Sequence, residues 1–329
     1  VIDGLPGDLR LVVAGDRALT PAVRELDLRD PAGGVLPPHP AGSHLTLTTP
    51  GGHRRSYSVT NPPSQRDRYV VAVQREAAGR GGSASLVDDL RTGDEVSVAA
   101  PRDGFGLVDA ERYLFVAGGI GITPLRGMLH EVLARGHRDV TLLYLTRSPE
   151  ETAYRDELLA LAAGEDLAHV VVLHHSASAG RADLWPWLEH PDDGLQLYAC
   201  ASAGLLEEVR ALTVHWRPSR VHLEDFTGVA PLRPGGRPFT AVWAPTGARV
   251  EVAATTTLLD ALAGAGLDVP SSCGSGTCGT CRLALLDGDV EHRDLVLRPE
   301  ERATAVMPCV SRAASAEVTV GPVGSTAPA

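Results

Sequence analysis

Through its first hundred residues the chain alternates short β-branched, apolar runs with bends rich in Pro and Gly. Runs at 9–14, 23–28, 43–49, 55–60, 69–75 and 96–99 have strand length and composition, and 84–90 reads as a short helix. Six short strands with one helical insert predict a closed antiparallel barrel over residues 1–106. From residue 107 the rhythm changes. Apolar strands at 113–116, 140–145, 169–174, 195–200 and 221–223 alternate with helical stretches at 124–135, 154–163 and 203–213. That alternation predicts a parallel sheet with helices on both faces, an α/β domain ending at residue 226. Residues 227–236 contain Gly228, Pro231, Pro234, Gly235 and Gly236 and read as a linker. A hairpin follows, with strands at 239–243 and 249–252 and a turn at Pro245-Thr246-Gly247, and then a helix at 258–265. These open a third domain over 237–321, and the small polar tail at 322–329 is expected to be disordered.

A chain of 329 residues is too long for one ordinary core, in keeping with this division. Its 43% hydrophobic and 22% charged residues are those of a globular protein. No run is long enough to span a bilayer, so no membrane partner is expected. The net charge of −11 argues against a nucleic-acid partner, whose phosphates need the opposite sign. Between residues 107 and 226 there are 18 acidic residues against 10 arginines, so most of that charge lies on the middle domain and reads as solvated surface.

Four of the five cysteines change the picture. Cys273, Cys278 and Cys281 stand as C-x4-C-x2-C, and Cys309 follows after a long gap, the plant-type [2Fe–2S] ligand spacing. Gly274, Gly276 and Gly279 let the loop curl and point N–H donors at the sulfurs. The alternative is a non-enzymatic protein with a structural zinc, but zinc ribbons usually pair two C-x2-C knuckles, and here one is expanded and the last ligand stands alone. Cys200 is left over from that pattern, which speaks against a disulfide framework and for a reducing, cytoplasmic location.

Other motifs carry two readings each. Arg55-Ser56-Tyr57-Ser58 lies on a barrel strand, where an aromatic beside a cation and hydroxyls suits a flavin; surface strands also carry such residues. Gly79-Arg80-Gly81-Gly82-Ser83-Ala84-Ser85 leads into the helical insert, as an anion site or as a hairpin loop with ordinary Ser capping. Gly118-Gly119-Ile120-Gly121-Ile122-Thr123-Pro124 follows a strand and opens a helix. Its glycines admit a dinucleotide to the backbone or serve tight strand–helix packing, and it is not the G-x-G-x-x-G fingerprint. Cys200, at the carboxyl end of a parallel strand, faces a nicotinamide or fills the core. His174 and His175 read as structural, and no convincing His–carboxylate pair is visible.

Taken together, these residues resemble the phthalate dioxygenase reductase family, which includes vanillate demethylase reductase. The resemblance runs in one order over nearly the whole chain: flavin barrel, nicotinamide lobe, C-terminal β-grasp ferredoxin. It implies that Arg55, Tyr57 and Ser58 hold the flavin, with Ser56 between them a further cofactor-binding candidate, and that Gly81, Gly82, Ser83 and Ser85 bind the phosphate of FMN. It places Gly118, Gly119, Gly121 and Thr123 beside the nicotinamide crevice and Phe226 as the aromatic that covers the flavin ring. Where the family usually has Cys-Gly-Pro, this chain has Cys200-Ala201-Ser202, a departure that restricts the backbone there. The implied donor is NADH; Arg147 sits where it would meet a 2′-phosphate or stack on adenine.

A nicotinamide gives two electrons at once and an iron–sulfur cluster accepts one, so a flavin must divide the pair. The expected path runs from NADH to FMN, then to the cluster and a protein acceptor. Ser58, Thr123, Cys200, Glu224 and Phe226 are the candidates to order or tune the hydride step. The expected acceptor is a Rieske oxygenase, with a cytochrome P450, separate or fused, as the alternative. A monomer is expected.

Overall fold

The computed structural model describes residues 8–77, 81–164, 171–226, 236–271, 274–277 and 279–325. The chain divides into two compact units, Val1–Phe226 and Thr227–Ala329. The first opens with strands β1 (Leu9–Thr20), β2 (Val23–Arg29), β3 (Ser43–Thr48), β4 (Arg54–Ser58), β5 (Tyr69–Gln74) and β6 (Glu95–Asp103), with helix α1 (Gly82–Asp88) inserted before β6. They form one sheet in the order β4-β3-β6-β1-β2-β5. A Val59–Val71 bridge and a 2.8 Å bond from the Thr60 N–H to the Val70 carbonyl join its outer strands, closing the predicted barrel.

Two strands outrun the expected ends. β1 continues past residue 14 because a register shift between Val13 and Gly15 absorbs the glycine within the ladder. β6 continues through Pro101, which lies in a register shift opposite His44–Thr46, where a missing N–H costs no ladder bond. Alternating residues such as Leu11, Val13, Leu26, Leu28, Leu45 and Leu47 fill the barrel, and a one-residue slip would turn them all outward. β5 is apolar along nearly its whole length because it is covered on both sides. Val71 and Val73 belong to the barrel core, whereas Ala72 joins the core of the next domain.

That domain contains β7 (Arg112–Gly118), α2 (Ile122–Ala134), β8 (Val140–Thr146), α3 (Arg155–Ala162), β9 (Val171–His175), α4 (Ser176–Ala179), α5 (Trp185–Leu188), β10 (Leu195–Ala201), α6 (Ala203–Leu212) and β11 (Val221–Asp225). The strands are parallel, in the order β11-β10-β7-β8-β9. On β7, Tyr113, Phe115 and Ala117 face one core, and Leu114 and Val116 face the other. The strand order reverses between β7 and β10, and open α/β sheets bind ligands at the carboxyl ends of such a pair. Residues 169–170 of the expected β9 lie outside the described residues. Across this unit arginines grip carboxylates with two nitrogens: Arg17 on Glu25, Arg75 on Asp88, Arg126 on Glu157.

The second unit holds β12 (Phe239–Trp243), β13 (Ala248–Val252), α7 (Leu258–Gly264), β14 (Leu283–Asp287), β15 (Val290–Glu291), β16 (Ala305–Val306), β17 (Arg312–Ala313) and β18 (Glu317–Gly321). Its main sheet runs β13-β12-β18-β14-β16, with β12 and β18 parallel. Thr257 caps α7: its hydroxyl accepts from the Asp260 N–H at 3.0 Å. Arg312 is buried; its guanidinium donates to the carbonyls of Thr256 (2.7 Å), Arg237 (2.9 Å) and Ala253 (3.0 Å) and stacks on Phe239. The linker at 227–235 and the tail at 326–329 lie outside the described residues.

Candidate functional site

On the barrel, β4 brings Arg55 against the start of α1. A Cβ added at Gly82 would lie 2.7 Å from Arg55 Nε and 2.8 Å from its Cγ, so only glycine lets the arginine stem lie there. Gly81 precedes it with φ 81°, a conformation that glycine adopts without strain. The Ser85 hydroxyl accepts from the Gly51 N–H at 2.9 Å and the Ser83 hydroxyl from the Glu76 N–H at 3.0 Å, tying the turn to its neighbours. A guanidinium, a glycine turn and two hydroxyls form a donor set that fits a flavin phosphate. Gly79 and Arg80 of the motif lie outside the described residues. Farther along β4, the Ser56 hydroxyl is 3.3 Å from that of Thr46. Tyr57 packs against the barrel core, and burial pushes its phenol up to about 12. Ser58 is buried at the strand's end.

At the carboxyl end of the parallel sheet the glycine motif divides its labour. A Cβ at Gly121 would lie 1.9 Å from the Cys200 carbonyl oxygen, and one at Gly118 2.7 Å from the Ala201 Cβ. Both glycines therefore let the turn press on β10, the packing alternative. Gly119 differs: its φ is 54° and nothing would lie within 4 Å of its Cβ, so its face is open. Thr123 is buried and its hydroxyl donates to the Ile120 carbonyl at 2.9 Å, bracing the turn. The Cys200 thiol is buried and donates to Glu224 Oε2 at 3.9 Å. Burial, then the carboxylates of Glu224 and Asp225, push that thiol well up, so it stays protonated. Burial likewise lifts Glu224 to about 8, against the opposing hydrogen bond from Cys200. Phe226, just past β11, is 39% exposed, and Arg147, just past β8, is exposed as well.

In the second unit Cys281 and Cys309 are both buried in one core cluster; Cys273 and Cys278 lie outside the described residues. Gly274, Gly276 and Gly279 have φ of 62°, 76° and 74°, the left-handed turns expected of this loop. A Cβ at Gly276 would lie 2.8 Å from Val310 Cγ2, so the loop is pressed onto the residue after Cys309. Two buried thiols beside a glycine cradle fit an iron–sulfur cluster.

Residues 242–314 match the 2Fe-2S iron-sulfur cluster binding domain, and residues 115–185 match the oxidoreductase NAD-binding domain. The chain is 42% identical to the phthalate 4,5-dioxygenase oxygenase reductase subunit of Pseudomonas putida, over 94% of this chain and 95% of that one. It is also 42% identical to phthalate dioxygenase reductase of Burkholderia cepacia, over 95% and 97%. The chain belongs to the phthalate dioxygenase reductase family. A solved phthalate dioxygenase reductase, described as a modular structure for electron transfer from pyridine nucleotides to [2Fe–2S], superposes with a TM-score of 0.79. That match has 41% identity and covers 96% of this chain and 98% of that one. An intact type IV self-sufficient cytochrome P450 monooxygenase matches with a TM-score of 0.78 and 37% identity, over 95% of this chain and 41% of that one. The cluster-domain match sets the zinc alternative aside.

Against the family's Cys-Gly-Pro, the Ala201 of this reductase sits in extended strand, paired with Asp225 and free of positive φ. Its Cβ takes the space that Gly118 leaves, so the restriction expected from alanine does not arise. His174 and His175 are structural in kind: they bond to the Gly180 carbonyl at 2.8 Å and the Thr152 hydroxyl at 3.1 Å. A His–carboxylate pair does exist, contrary to expectation, between His130 and Glu157 at 2.9 Å. Residues 27 apart carry no spacing signal. The one available cue was Gly127 inside a helix, where glycine is costly unless another backbone comes close; the Val59 carbonyl would lie 3.1 Å from its Cβ.

Proposed function

We propose that the protein is an NADH-dependent oxygenase reductase that passes electrons through FMN and a [2Fe–2S] cluster to a protein acceptor. The end-to-end match to a phthalate dioxygenase reductase carries this reading. A flavin bound there would supply the conversion of an electron pair into single electrons, and a bound cluster the one-electron relay, chemistry that no side chain supplies. Arg55, Gly81, Gly82, Ser83 and Ser85 hold the FMN phosphate, and Ser56, Tyr57 and Ser58 line the ring. Gly118 and Gly121 seat the turn on β10, Thr123 braces it, and Gly119 leaves its face open to the nicotinamide. Phe226, partly exposed just past β11, would cover the flavin ring and give way to the nicotinamide. Cys200 and Glu224 keep their protons at neutral pH, so the pair brings no net charge to the hydride path. Arg147 meets the adenosine end of NADH. Cys273, Cys278, Cys281 and Cys309 ligate the cluster. The barrel spans 1–106, the nicotinamide domain 107–226 and the ferredoxin 237–321; the chain works as a cytoplasmic monomer. No described helix is long and apolar enough to cross a membrane.

A Rieske oxygenase is the acceptor by kinship with oxygenase reductase subunits. The match to a self-sufficient cytochrome P450 supports the second reading, a P450 reductase module. The test is a brown-red protein carrying FMN and acid-labile sulfide whose NADH oxidation drives an oxygenase or a P450. In the Cys278→Ser variant cytochrome c reduction should fall at least about tenfold while reduction of a small dye persists. A colourless protein, or equal loss of both activities with flavin retained, would sink the proposal.

A further inference from the structure

One guanidinium ties the two domains of the first unit together. Arg126, on α2, makes a two-toothed bond to Glu157 of α3, at 2.8 and 2.9 Å, and donates a third N–H to the Thr60 carbonyl at 2.7 Å. Its face lies 4.5 Å from the Tyr154 ring centroid. Tyr154 is itself buried, and its hydroxyl donates to the Thr60 hydroxyl at 3.4 Å. Among the described residues it is the one non-glycine with positive φ, 59°. A bulky residue keeps that strained conformation only where its surroundings over-determine it. His130 adds a further bond to Glu157, and burial's upward pull on that carboxyl is outweighed by His130 and Arg126, which hold it at about 2.

The covalent neighbours give this clamp its meaning. Thr60 lies two residues beyond Ser58, at the end of the strand that carries Arg55-Ser56-Tyr57-Ser58. Arg126 lies three residues beyond Thr123, in the helix that the glycine turn opens. Gly127 packs its backbone on the Val59 carbonyl, and Gly42 of the barrel approaches Met128. A cavity of about 240 Å³, lined by Arg17, Asn61, Arg126 and His130 among others, borders the clamp. Water would enter from there if the guanidinium were removed.

We propose that Arg126 is a positioning residue for hydride transfer. By holding the end of β4 against α2 and α3, it fixes the flavin-bearing strand relative to the nicotinamide turn. The inference rests on the functional reading above. A shift of about 1 Å between reacting partners costs about 100-fold in rate, so the clamp should act on the rate at saturation rather than on nucleotide affinity.

The experiment uses the full flavin-loaded chain. In stopped flow, Arg126→Ala should bleach the flavin about 10- to 100-fold more slowly at saturating NADH. Flavin content should be unchanged and the NADH dissociation constant within about threefold of the parent's. Arg126→Lys should not restore the rate, since an ammonium cannot span both Glu157 oxygens and the Thr60 carbonyl. In flavin-free protein, amide exchange at 59–61 should quicken in both variants. Leu129→Ala, in the same helix and buried but outside the clamp, controls for general loss of stability. A saturating rate within twofold of the parent, or equal slowing by Leu129→Ala, overturns the proposal. A parent chain that NADH does not bleach overturns the functional reading and this one with it.

Discussion

Glu224→Gln tests the electrostatics at the end of β11. The wild-type carboxyl is half-buried beside the Cys200 thiol, and burial lifts it from 4.5 to about 8. An acid whose folded affinity for protons exceeds its unfolded one destabilises the fold as pH rises. Below about 4.5 both states are protonated and there is no penalty; between 4.5 and 8 only the unfolded chain ionises, and stability falls; above 8 the loss is complete. Each tenfold step in proton affinity is worth about 1.4 kcal/mol, so the full loss is at most about 5 kcal/mol. Water reaching the half-buried oxygens reduces this to about 2.5 kcal/mol. Glutamine keeps the shape and the hydrogen bond but cannot ionise. Its Tm advantage over the parent should therefore be near zero at pH 5 and grow to about 5–10 °C at pH 9 for a unit of this size. Thermal melts of both proteins from pH 5 to 9, followed by the fluorescence of Trp185, Trp187 and Trp216, measure the difference. A gap that stays constant across that range would refute the argument.

Gly121→Ala should unfold the turn on β10, costing about 3 kcal/mol in urea titrations, because its Cβ would meet the Cys200 carbonyl at 1.9 Å. Arg55→Ala should weaken FMN binding by about 100-fold in fluorescence titrations of flavin-free protein, the scale of one or two charge-assisted bonds. Arg312→Ala removes three charge-assisted bonds to part-buried carbonyls in the second unit and should cost about 4 kcal/mol, read as faster bleaching of cluster absorbance in urea.

The barrel and the parallel sheet were legible because burial on one face, or on both, writes itself into spacing. Where local cues misled, tertiary context had absorbed them: Gly15 reads as a turn and Pro101 as a break, yet register shifts keep both in strand. β14 and β18 escaped notice for a different reason. Between them they pair with each other, β12 and β16; β18 lies more than 30 residues from both of its partners, and strand pairing at that range leaves no local mark. At the site, residue types and order identified the flavin strand, the glycine turn and the cysteine loop. The distinct duties of Gly118, Gly119 and Gly121 depend on how close β10 lies, and that is a property of packing alone. Arg126, Glu157 and Tyr154 are likewise joined only by the folded chain.

All 30 basic residues of the chain are arginines, several forked onto carboxylates across the first unit. Lysine ammonium groups discharge near pH 10.4, whereas guanidinium keeps its proton beyond about pH 12. Alkali that would strip the cations from a lysine-bearing relative leaves these intact. The cationic half of every such bridge thus persists through mildly basic conditions, and any alkaline weakening must originate in acids, thiols or phenols.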